Sequence, residues 1–143
     1  MLIGALAASE YRQRPRFTTD VDFMLVEFGD VAERLAAEGY DIKEMAEPGG
    51  EPYLIFVRGK GVKVDLLRAE TEYHRGALAR ARNGVLTVED VIVNKLMAWR
   101  PRDQDDIDSI VSAGHDLDVA YIERWASEWD VADRWMEARR RGG

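Results

Sequence analysis

The sequence passes from a polar turn into an apolar strand within one short segment, Arg16-Phe17-Thr18-Thr19-Asp20-Val21-Asp22-Phe23-Met24-Leu25-Val26. Apolar residues alternate with Asp20 and Asp22, and side chains of a strand alternate between its two faces. The pattern predicts a strand over 20–28 in which both aspartates point the same way, about 7 Å apart. Like charges close together repel, by about 4 kcal/mol at 4 Å and an effective dielectric constant of 20. The pair therefore predicts a positive partner, unless both carboxylates are simply solvated.

A second acidic position strengthens the metal interpretation. The predicted strand 62–67 carries Asp65 within an otherwise apolar run, with Lys63 on the same face. Burial of Asp65 requires a partner for its charge, and Arg16 or a metal ion are the obvious choices. Two acids on one strand and one on a neighbour are typical of a two-metal phosphoryl-transfer site. Asp20, Asp22 and Asp65 are thus candidate ligands for Mg²⁺, which prefers carboxylate and phosphate oxygens, or for Mn²⁺ in its place.

The remaining pattern predicts an α/β fold with a mixed central sheet and C-terminal helices. The predicted helices are 3–11, 31–38 and 70–82, one beginning at Thr87 and one restarting at Arg102. Two more helices are predicted within 117–141, with N-caps at Asp118 and Asp130, a core-facing stripe of Tyr121, Ile122, Trp125 and Trp129, and a frayed tail from Arg139. The predicted strands are 20–28, 40–45, 53–57 and 62–67, and the last two form a hairpin around the turn 58–61. The 143 residues suggest a single domain, 1–143, with a sheet-containing core over 1–86 and helices over 87–143.

Composition excludes several classes of protein. The chain has no cysteine, and its net charge of −7 argues against broad, sequence-independent binding of nucleic acid. No apolar run is long enough to span a bilayer, and residues 1–4 lack the basic start of a signal peptide. We therefore expect a cytoplasmic protein that does not enter a membrane.

Five motifs follow one another along the chain. They are Gly4-Ala5-x-Ala7, Pro15-Arg16-Phe17-Thr18-Thr19-Asp20-Val21-Asp22, Lys63-Val64-Asp65-Leu66-Leu67, Asp90-Val91-Ile92-x-x-Lys95-Leu96-x-Ala98 and Arg102-Asp103-x-x-Asp106-Ile107. This order resembles the minimal nucleotidyltransferases of the DNA polymerase beta superfamily, and most closely their AbiEii-like branch, which includes toxins of toxin–antitoxin systems. The resemblance extends from Leu2 to about Trp125.

The resemblance implies transfer of an NMP from an NTP to an acceptor hydroxyl. Asp20, Asp22 and Asp65 would hold one or two Mg²⁺ ions, and Asp65 would act as, or orient, the general base. The acceptor implied is an RNA such as tRNA, a protein or a small molecule, and the implied protein partners are an antitoxin or a second copy of the chain. An inactive nucleotidyltransferase-like module that binds a nucleotide or a partner protein is the alternative. A third interpretation is an interaction domain with solvated acids and a tryptophan-lined oligomer interface.

The same resemblance implies a nucleotide-binding set of Gly4, Arg16, Thr18, Lys95 and Asp103, and each member also has a structural interpretation. Gly4 lines a phosphate cradle or merely starts a helix. Arg16 faces the triphosphate or pairs with an aspartate, and Thr18 can order the turn through its hydroxyl. Lys95 reaches phosphates or keeps its ammonium in water at the edge of a buried stripe. Asp103 helps hold the lysine or caps a helix.

Overall fold

The computed structural model describes residues 1–13 and 20–142. These residues form β1 (Leu2–Ile3), α1 (Gly4–Ser9), β2 (Asp20–Leu25), α2 (Val31–Ala37), β3 (Asp41–Ala46), β4 (Pro52–Gly59), β5 (Val62–Arg68), α3 (Glu72–Arg80), α4 (Val88–Ala98), α5 (Pro101–Ser112), α6 (Val119–Glu128) and α7 (Ala132–Gly142). The strands make one sheet in the order β1-β2-β5-β4-β3, in which β2 and β5 are parallel and the other pairs antiparallel. The predicted α/β fold, with a mixed sheet and C-terminal helices, is confirmed.

The described part of the chain divides into two compact units. One comprises residues 1–6 and 20–86 and contains the whole sheet with α2 and α3. The other comprises residues 7–13 and 87–142 and contains α4 to α7. The second unit therefore includes an N-terminal segment that the sequence placed with the sheet.

Helix α2 packs on one face of the sheet. The buried residues of this core are Ala32, Ile55, Val57 and Leu66, and the partly buried residues around it are Phe23, Leu25, Phe28, Val31, Leu35, Tyr40, Ile42 and Val64. Gly39 follows α2 with a φ of +94°, as a terminating glycine does. The β4–β5 hairpin turns at Lys60 and Gly61, with φ values of +52° and +77°, which is the signature of a type I′ turn.

The helical unit encloses its own core. Its fully buried apolar residues include Ile92, Leu96, Ile107, Ile110, Ile122 and Ala126, with Trp135 only 2% exposed. Thr87 caps α4 as predicted, because its hydroxyl accepts a hydrogen bond from the Asp90 backbone N–H. The Asp90 carboxylate is buried and accepts bonds from Thr87 Oγ1 at 2.9 Å and from the Tyr121 hydroxyl at 2.6 Å. Pro101 opens α5, where its missing N–H costs no helical hydrogen bond.

Several sequence predictions were wrong in detail. The predicted helix 3–11 is the short α1, which β1 precedes. Asp130 does not cap a helix with its side chain but adopts a φ of +55° in the turn before α7. The tail from Arg139 was expected to fray, yet α7 continues to Gly142, and Arg141 Nε bonds to Asp108 Oδ2 at 3.0 Å.

The tryptophan stripe predicted over α6 is also only partly buried. Ile122 and Ala126 are the fully buried positions of this helix, whereas Trp129 is 37% exposed.

Within residues 1–13 and 20–142, no helix combines the length and apolar character needed to cross a membrane.

Candidate functional site

The acidic residues of β2 and β5 lie on the sheet face opposite α2. Phe23 and Leu66 pack in the core beneath α2, and side chains alternate along each strand. Asp20 and Asp22 therefore emerge on the other face of β2, and Asp65 emerges on that same face of β5. Solvent reaches this face, since Asp20 is exposed and the Asp65 side chain is 29% exposed.

The register of the two parallel strands brings two of these acids side by side. Asp22 is the partner of Asp65, and Asp20 is the partner of Lys63 in the neighbouring row. Adjacent strands are about 4.8 Å apart. The three carboxylates thus occupy two neighbouring rows of one face, with Lys63 completing the row of Asp20.

Gly4 lies against the Asp22 carboxylate. It has a φ of +71°, a conformation that L side chains rarely adopt, and Ile3 before it is the register partner of Asp22. A Cβ on Gly4 would lie 3.0 Å from Asp22 Cγ and would collide with a carboxylate oxygen. Glycine is therefore required here by its own backbone angle and by the neighbouring acid. Its position at the start of α1 is not the whole reason for a glycine at this site.

The charge partner of Asp65 in the structure is Arg58 on β4. Its Nη1 donates to Asp65 Oδ1 at 2.9 Å, and the same nitrogen lies 3.0 Å from the Val57 carbonyl oxygen and 3.2 Å from that of Val64. The sequence interpretation named Arg16 or a metal and overlooked Arg58. The sequence pattern placed Arg58 in the hairpin turn 58–61, which was wrong, because β4 continues to Gly59 and sets Arg58 opposite Lys63 and hence diagonal to Asp65 on one face.

The donor set suits a hard cation, but it does not converge on one point. Three carboxylates provide the oxygen ligands that Mg²⁺ and Mn²⁺ prefer. Yet in the two described ranges, 1–13 and 20–142, no group of three or more His, Cys, Asp or Glu side chains is arranged to hold a metal ion. Asp65 faces Arg58 instead, so a shared site requires that carboxylate to exchange the guanidinium for the metal.

Lys95 lies in a buried ion-pair network of the helical unit. Its side chain is 6% exposed, and Nζ lies 2.7 Å from Asp106 Oδ2 and 3.3 Å from Asp103 Oδ1. The alternative in which Lys95 keeps its ammonium in water is wrong, because the charged end is itself enclosed. Two carboxylates compensate the burial of this cation.

Asp103 binds the turn between α4 and α5 as well as Lys95. It accepts from the Arg100 backbone N–H at 3.1 Å and from Arg100 Nε at 2.6 Å. Burial alone would raise the pKa of the Asp103 carboxyl, but the Arg100 hydrogen bond and the Lys95 charge outweigh it and lower the pKa below its ordinary value. Asp103 is not the N-cap of α5, which is Arg100, but it caps the helix from the N3 position, because its carboxylate accepts the Arg100 backbone N–H as in a capping box.

Arg12 is a member of this network that the sequence interpretation missed. Its side chain is 4% exposed and pairs with Asp106 and, at 3.2 Å, with Asp105 Oδ2. The next residue, Gln13, donates its backbone N–H to the Ser109 carbonyl at 3.1 Å. No local sequence signal links Arg12 to Asp106, since 94 positions separate them.

Two predicted nucleotide-binding residues, Arg16 and Thr18, lie outside the described residues, as does the rest of 14–19.

A scan against protein-family models finds no match to the chain, and a search of curated proteins finds no significant relative.

Proposed function

We propose that the chain is a metal-dependent nucleotidyltransferase that moves an NMP from an NTP to an acceptor hydroxyl. The observation that carries the proposal is the pairing of Asp22 with Asp65 in parallel register, with Asp20 on the same solvent-accessible face. A fold that needed only packing from these strands would gain nothing from placing like charges in adjacent positions. The motif order that resembles the polymerase beta superfamily gives this acidic face its expected chemistry.

In this proposal Asp20, Asp22 and Asp65 hold Mg²⁺, or Mn²⁺, which when bound neutralises triphosphate oxygens as a Lewis acid. Asp65 accepts, or orients for transfer, the proton of the acceptor hydroxyl. The acceptor oxygen bonds to the α-phosphorus as the bond from that phosphorus to the bridging oxygen breaks, and pyrophosphate leaves. Gly4 keeps the backbone close to Asp22 and so fixes where that carboxylate points.

The other predicted binding residues are assigned to the nucleotide site because the order of their motifs resembles that of the superfamily. Arg16 and Thr18 precede the acidic strand directly in sequence, and Lys95 and Asp103 form an ion pair in the helical unit. The proposed acceptor is an RNA such as tRNA, a protein or a small molecule, and the proposed partner is an antitoxin or a second copy of the chain. The proposed location is the cytoplasm.

One observation favours the alternative of an inactive module that binds a nucleotide or a protein. Arg58 already supplies a positive charge to Asp65, so the acidic face does not depend on a metal for charge balance at that position. In this alternative the ion pair is permanent and no transfer occurs.

A transfer assay separates the two functions. The wild-type protein is incubated with each α-³²P-labelled NTP and Mg²⁺, in the presence of total RNA, a protein extract or neither, beside Asp20→Ala and Asp65→Ala. Glu44→Ala is the matched control, because Glu44 is an exposed acid that pairs with Ile55 on the α2 face of the same sheet. We expect labelled product from the wild type and the control only. Transfer retained by both aspartate variants contradicts the site, and nucleotide binding without any product supports the inactive module.

A further inference from the structure

We propose that Arg58 is an internal counter-ion that exchanges Asp65 for a phosphate oxygen when a metal–nucleotide complex binds. The inference rests on the proposed function and assigns a role to a residue that lies outside the motifs. Arg58 would then hold Asp65 in the unliganded protein and the nucleotide in the complex.

The position of Arg58 allows this exchange. Its guanidinium Nη1 is 2.9 Å from Asp65 Oδ1, and the two side chains are 38% and 29% exposed. A pair this accessible to water is held weakly, because solvent screens it and competes for both partners. An incoming divalent cation with its anionic ligand can therefore replace the pair without opening a core.

The neighbouring side chains keep Arg58 on the acidic face after it releases Asp65. Its Cζ lies 5.3 Å from the ring centroid of Phe56, and Phe56 is the register partner of Asp65 on β4. Because this ring contact does not involve the carboxylate, it survives the exchange. The planar guanidinium then presents a donor pair to a phosphate, which it can bind in bidentate fashion.

The exchange makes metal and nucleotide binding interdependent. A metal ion alone must compete with Arg58 for Asp65 and leaves the guanidinium without its anionic partner. A metal–NTP complex supplies that partner, so each ligand strengthens the binding of the other. Removing the positive charge at position 58 should strengthen binding of the metal alone and weaken binding of the nucleotide.

The test measures both affinities in Arg58→Gln, Arg58→Lys and a control, Arg68→Gln. Arg68 lies on the adjacent strand and pairs with Glu51 at 3.2 Å and Glu70 at 2.6 Å, away from the three aspartates of the acidic face. Free Mn²⁺ is titrated and followed by electron paramagnetic resonance without nucleotide, and each NTP is titrated by calorimetry in excess Mg²⁺.

For Arg58→Gln we expect binding of Mn²⁺ alone to be several-fold tighter and NTP binding to be on the order of tenfold weaker. Arg58→Lys should have an intermediate affinity for Mn²⁺ and a reduced affinity for NTP. An ammonium keeps the positive charge but lacks the paired N–H donors of a guanidinium. The Arg58→Lys variant also tests the inference if Arg58→Gln does not fold. The control should match the wild type in both titrations.

Unchanged Mn²⁺ affinity or unchanged NTP affinity in both Arg58 variants overturns the inference. If the wild type nevertheless binds NTP with Mg²⁺ and Asp20→Ala does not, the proposed function stands without it. If the wild type binds neither Mn²⁺ nor any NTP, the proposed function fails and the inference fails with it.

Discussion

Asp22 on β2 and Asp65 on β5 are register partners in parallel strands, so their carboxylates emerge next to each other on the face of the sheet opposite α2. Arg58 offsets the charge of Asp65 from the next strand. The sheet therefore carries two like charges in adjacent positions, with Arg58 beside Asp65 and Lys63 in the neighbouring row. Such an arrangement favours any ligand that adds positive charge between the two acids.

Neutralising one acid should separate a structural role from metal binding. Asp22→Asn removes the negative charge of one register partner of the Asp22–Asp65 pair and keeps the shape of its side chain. Mg²⁺ should then raise the melting temperature of the wild type more than that of the variant. The control is Asp30→Asn, because Asp30 precedes α2, is exposed and makes no side-chain cap hydrogen bond. Equal Mg²⁺ shifts in wild type and Asp22→Asn would show that Asp22 binds no metal.

Gly4→Ala should be more costly than a glycine substitution at a similar backbone angle elsewhere. Gly29 has a φ of +53°, and a Cβ there would meet nothing within 4 Å. Gly29→Ala should thus lower the free energy of unfolding by about 1–2 kcal/mol, the cost of left-handed backbone alone. Gly4→Ala adds the collision with Asp22 and should lower it further, with a loss of any Mg²⁺ response. Denaturant unfolding measures both, and equal costs would contradict the close contact between Gly4 and Asp22.

Lys95→Ala should destabilise the helical unit strongly. It removes the cation that bridges the buried Asp103 and Asp106, which keep Arg100 and Arg12 as partners, so we expect the low end of the about 3–5 kcal/mol that breaking a buried pair typically costs. Arg139→Ala is the matched control, because the pair of Arg139 and Glu123 is roughly half exposed on both sides and should contribute less than about 1 kcal/mol. Urea unfolding with NTP titration gives the readout. A stable Lys95→Ala protein that no longer binds NTP would instead make Lys95 a ligand-binding residue.

Asp103 should make stability depend on pH in the acid range. Its pKa is lowered in the folded protein, so the folded state binds fewer protons there than the unfolded state. The stabilisation is complete above the ordinary carboxyl pKa of about 4 and is lost as pH falls through the lower folded value. Unfolding free energies from pH 6 to pH 2 should show this fall, with a smaller slope in Asp103→Asn. An identical slope in the variant would remove Asp103 as its source.

The sequence predicted the features of this fold that depend on local chemistry. Thr87 and Asp118 cap their helices because each accepts a backbone N–H three positions along the chain. The hairpin and the strand faces followed from the alternation of apolar residues. This alternation also placed Asp20, Asp22 and Asp65 on strands with one face exposed.

The charge partners depend on tertiary structure and were not predictable in the same way. Arg12 reaches Asp106 across 94 positions, and Lys95 meets Asp106 only because α4 and α5 pack after the break at Pro101. Arg58 was predictable in principle, since the length of the hairpin turn fixes the register that brings it to Asp65. The tail of α7 was misjudged because its contact with Asp108 on α5 depends on how the two helices pack.

The most direct test is thermal melting with each of the four NTPs, with and without Mg²⁺, on the wild type and Asp20→Ala. The proposed function predicts a Mg²⁺-dependent rise in the wild-type melting temperature with at least one NTP, and no such rise in the variant. That result would also name the donor nucleotide. The absence of a shift with every NTP, or an equal shift in Asp20→Ala, would contradict a metal–nucleotide site on this face of the sheet.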